Sequence, residues 1–212
     1  MARPDGVVGV LLAGGKSSRM GGGDKCLRTL GGQPILSRVI DRLKPQVSEI
    51  VINANGDPSR FAPFGCTVVA DSVVGYAGPL AGVHAGLEWT KANRPNVDHI
   101  VTVATDTPFF PIDLVRQFLA VPSEDEPAFY IARSELGLHP VIGLWPVSIA
   151  DAIKTSLERG ERKVTAWTRD HGAVPVFFPP INLSGQSIDP FFNINAPEDL
   201  AAAETLLDQS TP

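Results

Sequence analysis

The residues most capable of chemistry cluster near the start of the chain, in Leu11-Leu12-Ala13-Gly14-Gly15-Lys16-Ser17-Ser18-Arg19-Met20-Gly21-Gly22-Gly23-Asp24-Lys25. An apolar run ends here in five glycines, two lysines and an arginine within twelve positions. Glycines leave backbone N–H groups open to a ligand and the cations add positive charge, which is the chemistry of a polyphosphate cradle. A flexible glycine turn with solvated cations would have the same composition. Two acids also stand at the ends of apolar runs: Asp71 after Thr67-Val68-Val69-Ala70, and Asp106 after Ile100-Val101-Thr102-Val103-Ala104-Thr105.

Two familiar phosphate motifs do not fit. A Walker A loop needs glycine five positions before the glycine that precedes Lys16-Ser17, and that position is Val10. The dinucleotide fingerprint G-x-G-x-x-G is absent as well.

The elements that must carry these residues are legible from periodicity. Val7–Leu12 is continuously apolar, as befits a strand covered on both faces of a parallel sheet, and its end delivers the glycine loop. Ligands of open α/β sheets bind beyond the carboxyl ends of strands, where this loop would lie. Pro34 in a first turn, followed by Ile35, Leu36, Val39, Ile40 and Leu43, predicts an amphipathic helix that Pro45 closes. Val47–Ala54, Thr67–Asp71 and His99–Asp106 predict further strands. A helix starts at Gly78-Pro79-Leu80, and another carries Ile112, Val115, Phe118 and Leu119. Strands and helices alternate in this way over the first half of the chain, which predicts a doubly wound α/β sheet.

The second half is less regular. Ala128–Arg133 and Leu138–Trp145 read as strands that can run antiparallel to the rest, Val147–Leu157 and Glu161–His171 as helices, and Ala173–Phe178 as strand. Asn195 stands where a helix cap would, with Pro197 in the first turn of an alanine-rich terminal helix. Trp89, Trp145 and Trp167 read as packing, and His139 as a structural hydrogen-bonding group before Pro140.

Composition sets the bounds. With 212 residues and 43% hydrophobic content, one domain over 1–212 is expected, its core at about 7–207. The formal charge of -5 argues against a nucleic-acid partner. Cys26 and Cys66 are the two cysteines, without zinc spacing or a disulfide framework, which predicts a cytoplasmic protein; Cys26 reads as packing in preference to a reactive thiol. No apolar run approaches the roughly 20 residues that cross a bilayer, and no secretory signal is legible, so no membrane association is expected.

The strand, the Leu-x-Gly-Gly turn, Ser-x-Arg-Met-Gly and a lysine shortly after resemble the signature of nucleotidyltransferases with a glycosyltransferase-A-like fold. An ordered set narrows the match: Leu11–Gly15, Arg19–Gly21, Asp24-Lys25, Asn53-Ala54-Asn55, Asp71, Gly78–Gly82, Asp106-Thr107-Pro108, His139-Pro140-Val141 and Asn193–Asp199. In that order, from about Val8 to Leu200, the chain resembles the molybdenum cofactor guanylyltransferase family. An extra glycine, in Gly21-Gly22-Gly23, departs from a minimal motif. The resemblance implies a three-layer α/β/α fold with a mainly parallel, doubly wound sheet, like the nucleotide-diphospho-sugar transferases. It implies Mg²⁺-dependent transfer of GMP from GTP to the phosphate of molybdopterin cofactor, with release of pyrophosphate.

The resemblance also implies roles. Arg19 and Lys25 would neutralise the triphosphate and the leaving pyrophosphate, and Asp106 would hold Mg²⁺. Leu12, Ala13, Gly14, Gly15, Asn53, Asp71 and Gly78 would line the nucleotide together with Lys25 and Asp106. A carboxylate can accept both N1–H and N2–H of guanine, which adenine cannot satisfy, so an acid such as Asp71 makes guanine preference physically sensible. Asp71 could instead cap the loop that follows it. Pro79, Leu80, Arg162, Lys163, Asn193 and Asn195 would face the pterin, although Arg162 and Lys163 could equally coat a helix. A monomer is expected, with transient contacts to cofactor-delivery proteins or apo-molybdoenzymes. The competing readings are a cytidylyl- or sugar-phosphate nucleotidyltransferase with the same loop, and a non-catalytic adapter that delivers nucleotide or cofactor.

Overall fold

A computed structural model describes residues 6–14, 24–71, 78–122 and 128–208. In chain order the strands are β1 (Val7–Leu12), β2 (Thr29–Leu30), β3 (Gln33–Pro34), β4 (Glu49–Asn53), β5 (Thr67–Val69), β6 (His99–Ala104), β7 (Tyr130–Ser134), β8 (Gly137–Pro146), β9 (Val174–Phe177), β10 (Ile181–Leu183) and β11 (Gln186–Ile188). The helices are α1 (Ile35–Leu43), α2 (Pro79–Asn93), α3 (Leu114–Leu119), α4 (Ala150–Glu158), α5 (Val164–Asp170) and α6 (Pro197–Asp208). Short 3-10 turns occur at Lys25–Leu27 and Pro58–Phe64.

The main sheet has seven strands in the order β5-β4-β1-β6-β8-β7-β9. β8 is antiparallel to both of its neighbours, and every other pairing is parallel, so among these strands β8 alone is reversed. The expectation of antiparallel character in the second half is met by β8. β7, expected to share it, returns to the direction of β6.

Strand β1 shows why the sheet is central. Val7 and Leu11 join one apolar cluster with Ile35, Leu36, Val39 and Leu43 of α1, Leu114 and Phe118 of α3, and Leu206 of α6. Val8 and Val10 face the other way, against Leu80, Val83 and Leu87 of α2, Ile153 and Leu157 of α4, and Trp167 of α5. Alternate residues thus bury against opposite helical layers, which produces a continuous apolar run. The result is a three-layer α/β/α fold. Gly9 and Gly86 let the layers close on β1, since a Cβ at Gly9 would lie 2.8 Å from Leu43 and one at Gly86 2.7 Å from Val10.

Several local expectations need correction. Pro34 is not in the first turn of α1; it precedes it, pairing in the β2–β3 hairpin that periodicity missed because each strand has only two residues. The buried face of α3 is Leu114, Val115 and Phe118, while Ile112 and Leu119 are 70% and 48% exposed. Ile112 precedes the helix, and Leu119 lies off the Leu114–Phe118 face by helical periodicity. Trp145 and Trp167 are buried and Trp89 half-buried, as packing residues should be.

Candidate functional site

Strand register brings the candidate residues into one line. Val69, Asn53, Leu12 and Ala104 lie side by side across β5, β4, β1 and β6. Two residues beyond each of them come Asp71, Asn55, Gly14 and Asp106. The carboxyl edge of the sheet therefore carries an acid at each end of a four-strand row, with the start of the glycine loop between them. Three inter-strand spacings separate the two acids by about 14 Å. That distance is too long for them to share a cation and of the right order for an extended nucleotide. Gly15 and Arg19, the predicted loop contacts, lie outside the described residues.

At one end the polar groups converge on Lys25. Its ammonium Nζ donates to Asp106 Oδ2 at 2.8 Å and to Asn195 Oδ1 at 2.7 Å. The Lys25 and Asp106 side chains are only 15% and 21% exposed, so the ion pair is partly shielded from water. The buried Cys26 next to it anchors the lysine, as one residue of the 3-10 turn. Burial, followed by the nearby Asp24 charge, pushes the Cys26 thiol up to about 11, so the thiol is protonated at neutral pH and serves as packing.

Asp106 is fixed from both directions. Its backbone carbonyl accepts from Ile194 N at 2.9 Å, which holds the 191–195 segment against the end of β6. Buried Thr107 donates through Oγ1 to Asn193 Oδ1 at 2.7 Å. Phe191 and Ile194 are buried, while Asn193 and Asn195 between and beyond them are exposed. Asn195 is not the cap of α6: its side chain is engaged by Lys25, and Asp199 caps instead, Oδ2 accepting from Asn195 N and Ala196 N at 2.8 Å each. A carboxylate satisfies two orphan N–H groups at once, which frees the carboxamide for the site.

At the other end of the row, Asn53 Nδ2 donates to Val69 O at 3.2 Å and to Asp71 Oδ1 at 3.0 Å. Asn55 Nδ2 donates to Asp71 Oδ2 at 2.8 Å, and Asn55 Oδ1 accepts from Asp71 N at 2.9 Å. Asn53 is buried against α2 because Gly82 leaves room for it; a Cβ at Gly82 would collide with Asn53 Oδ1 and lie 2.9 Å from Leu12 Cδ2. Between the two ends, Ala13 N donates to Asn53 O at 2.9 Å, so the loop leaves β1 still bonded to β4.

The expected acceptor-side residues divide. Gly78, in positive φ at +150°, precedes α2, and a Cβ there would meet Arg162 O at 3.3 Å, so Gly78, Pro79 and the exposed Arg162-Lys163 pair are neighbours. Leu80 is fully buried in the α2 layer, so its side chain cannot face a ligand, contrary to expectation. His139 bridges structure: its Nε2 lies 2.8 Å from Ser134 Oγ and its ring packs on Phe191, centroids 4.6 Å apart. Burial holds its pKa below the ordinary histidine value against the opposing Asp189 charge.

Sequence reasoning gave no role to Arg60, Asp24 or Asp199. Arg60 Nε pairs with Asp24 Oδ2 at 2.5 Å, and Arg60 Nη2 donates to Asn55 O at 2.6 Å. Arg60 thus ties the end of the glycine loop to the Asn55 turn. Nothing in the spacing of positions 24, 55 and 60 announces that contact.

Among the described residues there is no group of three His, Cys, Asp or Glu side chains that could hold a metal ion. Asp106 offers a single, partly exposed carboxylate already matched to a cation. That donor set fits Mg²⁺ of the kind that takes one or two carboxylates and completes its shell with substrate phosphates and water.

A family model described as a MobA-like NTP transferase domain matches residues 9–174. The chain belongs to this family. A molybdenum cofactor guanylyltransferase of Nitrobacter hamburgensis is 49% identical to it over 199 residues, 93% of each chain. One from Mesorhizobium japonicum is 45% identical over 207 residues, 97% of this chain and 98% of the other. The crystal structure of molybdopterin-guanine dinucleotide biosynthesis protein A from Archaeoglobus fulgidus superposes with a TM-score of 0.68 at 22% identity, covering 95% of this chain and 99% of that one. The likeness to that structure is one of fold. The MobA-like match ends at 174, at the first residue of β9, so the 191–199 segment that reaches Lys25 and Asp106 lies beyond it.

Proposed function

We propose that this MobA-like chain is one nucleotidyltransferase domain that transfers GMP from GTP to the terminal phosphate of molybdopterin cofactor. An oxygen of the pterin phosphate attacks the α-phosphorus of GTP, the α–β phosphoanhydride bond breaks, and pyrophosphate leaves with the bond's electron pair. The product is the guanine dinucleotide form of the cofactor. The observation that carries this reading is the row of strand ends with Asp71 at one side and the Lys25–Asp106 pair at the other, about one nucleotide apart. The identity to curated guanylyltransferases over almost the whole chain supports the choice of substrates.

A phosphate monoester is already ionised near neutral pH, so the reaction requires alignment and charge stabilisation more than a general base. Leu12, Ala13, Gly14 and Gly15 line the nucleotide through their backbone, and Asn53 and Asp71 hold the base end. Lys25 and Arg19 neutralise the phosphates as charge builds on the leaving pyrophosphate, the effect that dominates phosphoryl-type transfers. Asp106 is the residue that would hold Mg²⁺, which supplies Lewis-acid stabilisation of phosphate oxygens. Gly78 lines the nucleotide side, while Pro79, Arg162, Lys163, Asn193 and Asn195 face the acceptor, where cations suit its phosphate. Two free cysteines fit a cytoplasmic setting. Among the described residues no helix is long and apolar enough to cross a membrane.

The test is anaerobic incubation of the purified protein with molybdopterin cofactor, Mg²⁺ and each nucleoside triphosphate in turn, followed by detection of dinucleotide and pyrophosphate. The reading expects product with GTP. Product with CTP alone would favour the cytidylyl alternative, and nucleotide binding without any product would favour the adapter.

A further inference from the structure

We propose that Asn55, braced by Arg60, is the positioning residue that makes Asp71 a guanine-selecting acceptor. The inference rests on the GTP reading above and concerns how that base is told from others.

The geometry around Asp71 is unusual for a surface carboxylate. Both its oxygens accept from neutral carboxamides, Oδ1 from Asn53 and Oδ2 from Asn55, at 3.0 and 2.8 Å. Asn55 also accepts from the Asp71 backbone N–H at 2.9 Å, so one carboxamide grips the residue by side chain and main chain together. Such a two-point contact fixes the rotation of both side chains, which a single bond would not. Because these donors are neutral, they orient the carboxylate without cancelling its charge. An ionised carboxylate has about four acceptor positions, so two remain for a ligand.

Asn55 is itself held firmly. Gly56 follows at φ +84°, a conformation that favours glycine. Asp57 caps the next turn by accepting from Ser59 N at 2.9 Å. Arg60 then reaches back, donating to Asn55 O at 2.6 Å and to Asp57 O, while its Nε pairs with Asp24 beside Lys25. Its guanidinium also lies over the Phe61 ring, 4.6 Å from the centroid, and Phe61 is buried. The turn that holds Asn55 is therefore anchored to the core and to the phosphate end of the site.

Two spare acceptor positions on a charged carboxylate match two adjacent N–H donors. Guanine offers N1–H and the N2 amino group side by side. Hypoxanthine offers N1–H only, and adenine presents an acceptor at N1. A carboxylate free to rotate could follow a single donor, whereas a fixed one is satisfied only by the pair. Asn55 therefore contributes to the difference between GTP and inosine triphosphate more than to nucleotide affinity in general.

The experiment measures dissociation constants for GTP and for inosine, adenosine and cytidine triphosphate by calorimetry on the wild-type chain, Asn55→Ala and the near-isosteric Asn55→Asp, with thermal melting of each. Asn55→Asp keeps an acceptor for the Asp71 N–H but replaces the donor with a like charge. The wild type is expected to prefer GTP, and both variants to lose about tenfold of that preference, the scale of a hydrogen bond to a charged group. Equal weakening of both nucleotides, or a lower melting temperature with the preference intact, would overturn the proposal and leave Asn55 a structural residue. A wild-type chain without preference for GTP over inosine, adenosine or cytidine triphosphate would instead overturn the GTP reading itself.

Discussion

Gly82→Ala tests whether the packing of α2 on the sheet sets up the base end of the site. The added Cβ would collide with Asn53 Oδ1 and approach Leu12 Cδ2 to 2.9 Å. Asn53 cannot turn aside freely, because its amide donates to Val69 O and Asp71 Oδ1. Overpacking of this kind costs about 1–3 kcal/mol, and replacing a mid-helix glycine by alanine returns about 1 kcal/mol. The net loss of stability is then about 0–2 kcal/mol, a fall in Tm of at most about 8 °C for a chain of this size. Binding should suffer too. Loss of the Asn53–Asp71 bond would leave the Asp71 carboxylate held by Asn55 alone, and a base contact weakened by about 1.4 kcal/mol through that misalignment lowers GTP affinity about tenfold. Gly86→Ala, one turn along the same helix, is the control: the three atoms nearest its Cβ would all belong to Val10, the first at 2.7 Å, so it should cost similar stability. Its GTP affinity should stay close to that of wild type, because the Val10 side chain it presses on is apolar and holds neither Asn53 nor Asp71. Calorimetric titration with GTP and urea unfolding of the three proteins decide the matter. Equal GTP affinity in the two variants would refute the argument that Gly82 acts through Asn53.

Asp106→Asn keeps the backbone carbonyl that Ile194 N uses, so the protein should fold normally while turnover falls by about 10²–10³-fold, as when a charge-stabilising group is removed; steady-state rates beside a circular dichroism spectrum check it, and retained turnover would remove Asp106 from the reaction. Thiol titration with a disulfide reagent at pH 8 should modify no more than one cysteine in the native protein and two in denaturant, because Cys26 is 2% exposed with its pKa raised to about 11. Stability should fall as pH drops below about 6.5, the range in which unfolded histidines take up protons. Burial holds both His84 and His139 below that value in the folded chain, so their contribution is full above the unfolded pKa and is lost as pH falls toward the folded ones. Melting curves between pH 7.5 and 5 check this (roughly the span of the histidine titration), and His139→Asn should flatten part of the dependence.

What was legible in the sequence follows from local pattern. Val7–Leu12, Glu49–Asn53 and His99–Ala104 are short branched apolar runs, and burial on both faces writes itself directly into such a run. Parallel strands then share one carboxyl edge, so residues just past the strand ends, Asp71 and Asp106 among them, stand out in the sequence itself. The contacts that give those residues their geometry were not legible. Lys25 meets Asn195 across 170 positions and Asp106 across 81, and Arg60 meets Asp24 only because a turn after β4 and the end of the glycine loop arrive at the same corner. Periodicity reports which face of an element is buried; it carries nothing about which two polar side chains meet between elements. Asn195 is the clearest instance. Its position before Pro197 reads equally well as a cap, and the choice is made by Asp199, whose carboxylate takes both exposed N–H groups and leaves the Asn195 carboxamide for the lysine. The same logic applies to Leu80: it lies in the motif beside Gly78 and Pro79, but one helical step is enough to turn a motif residue from the ligand side into the core. A motif in this fold therefore marks where the chain reaches the carboxyl edge of the sheet, and the register and the polar pairing between segments decide which of its side chains face out from the core.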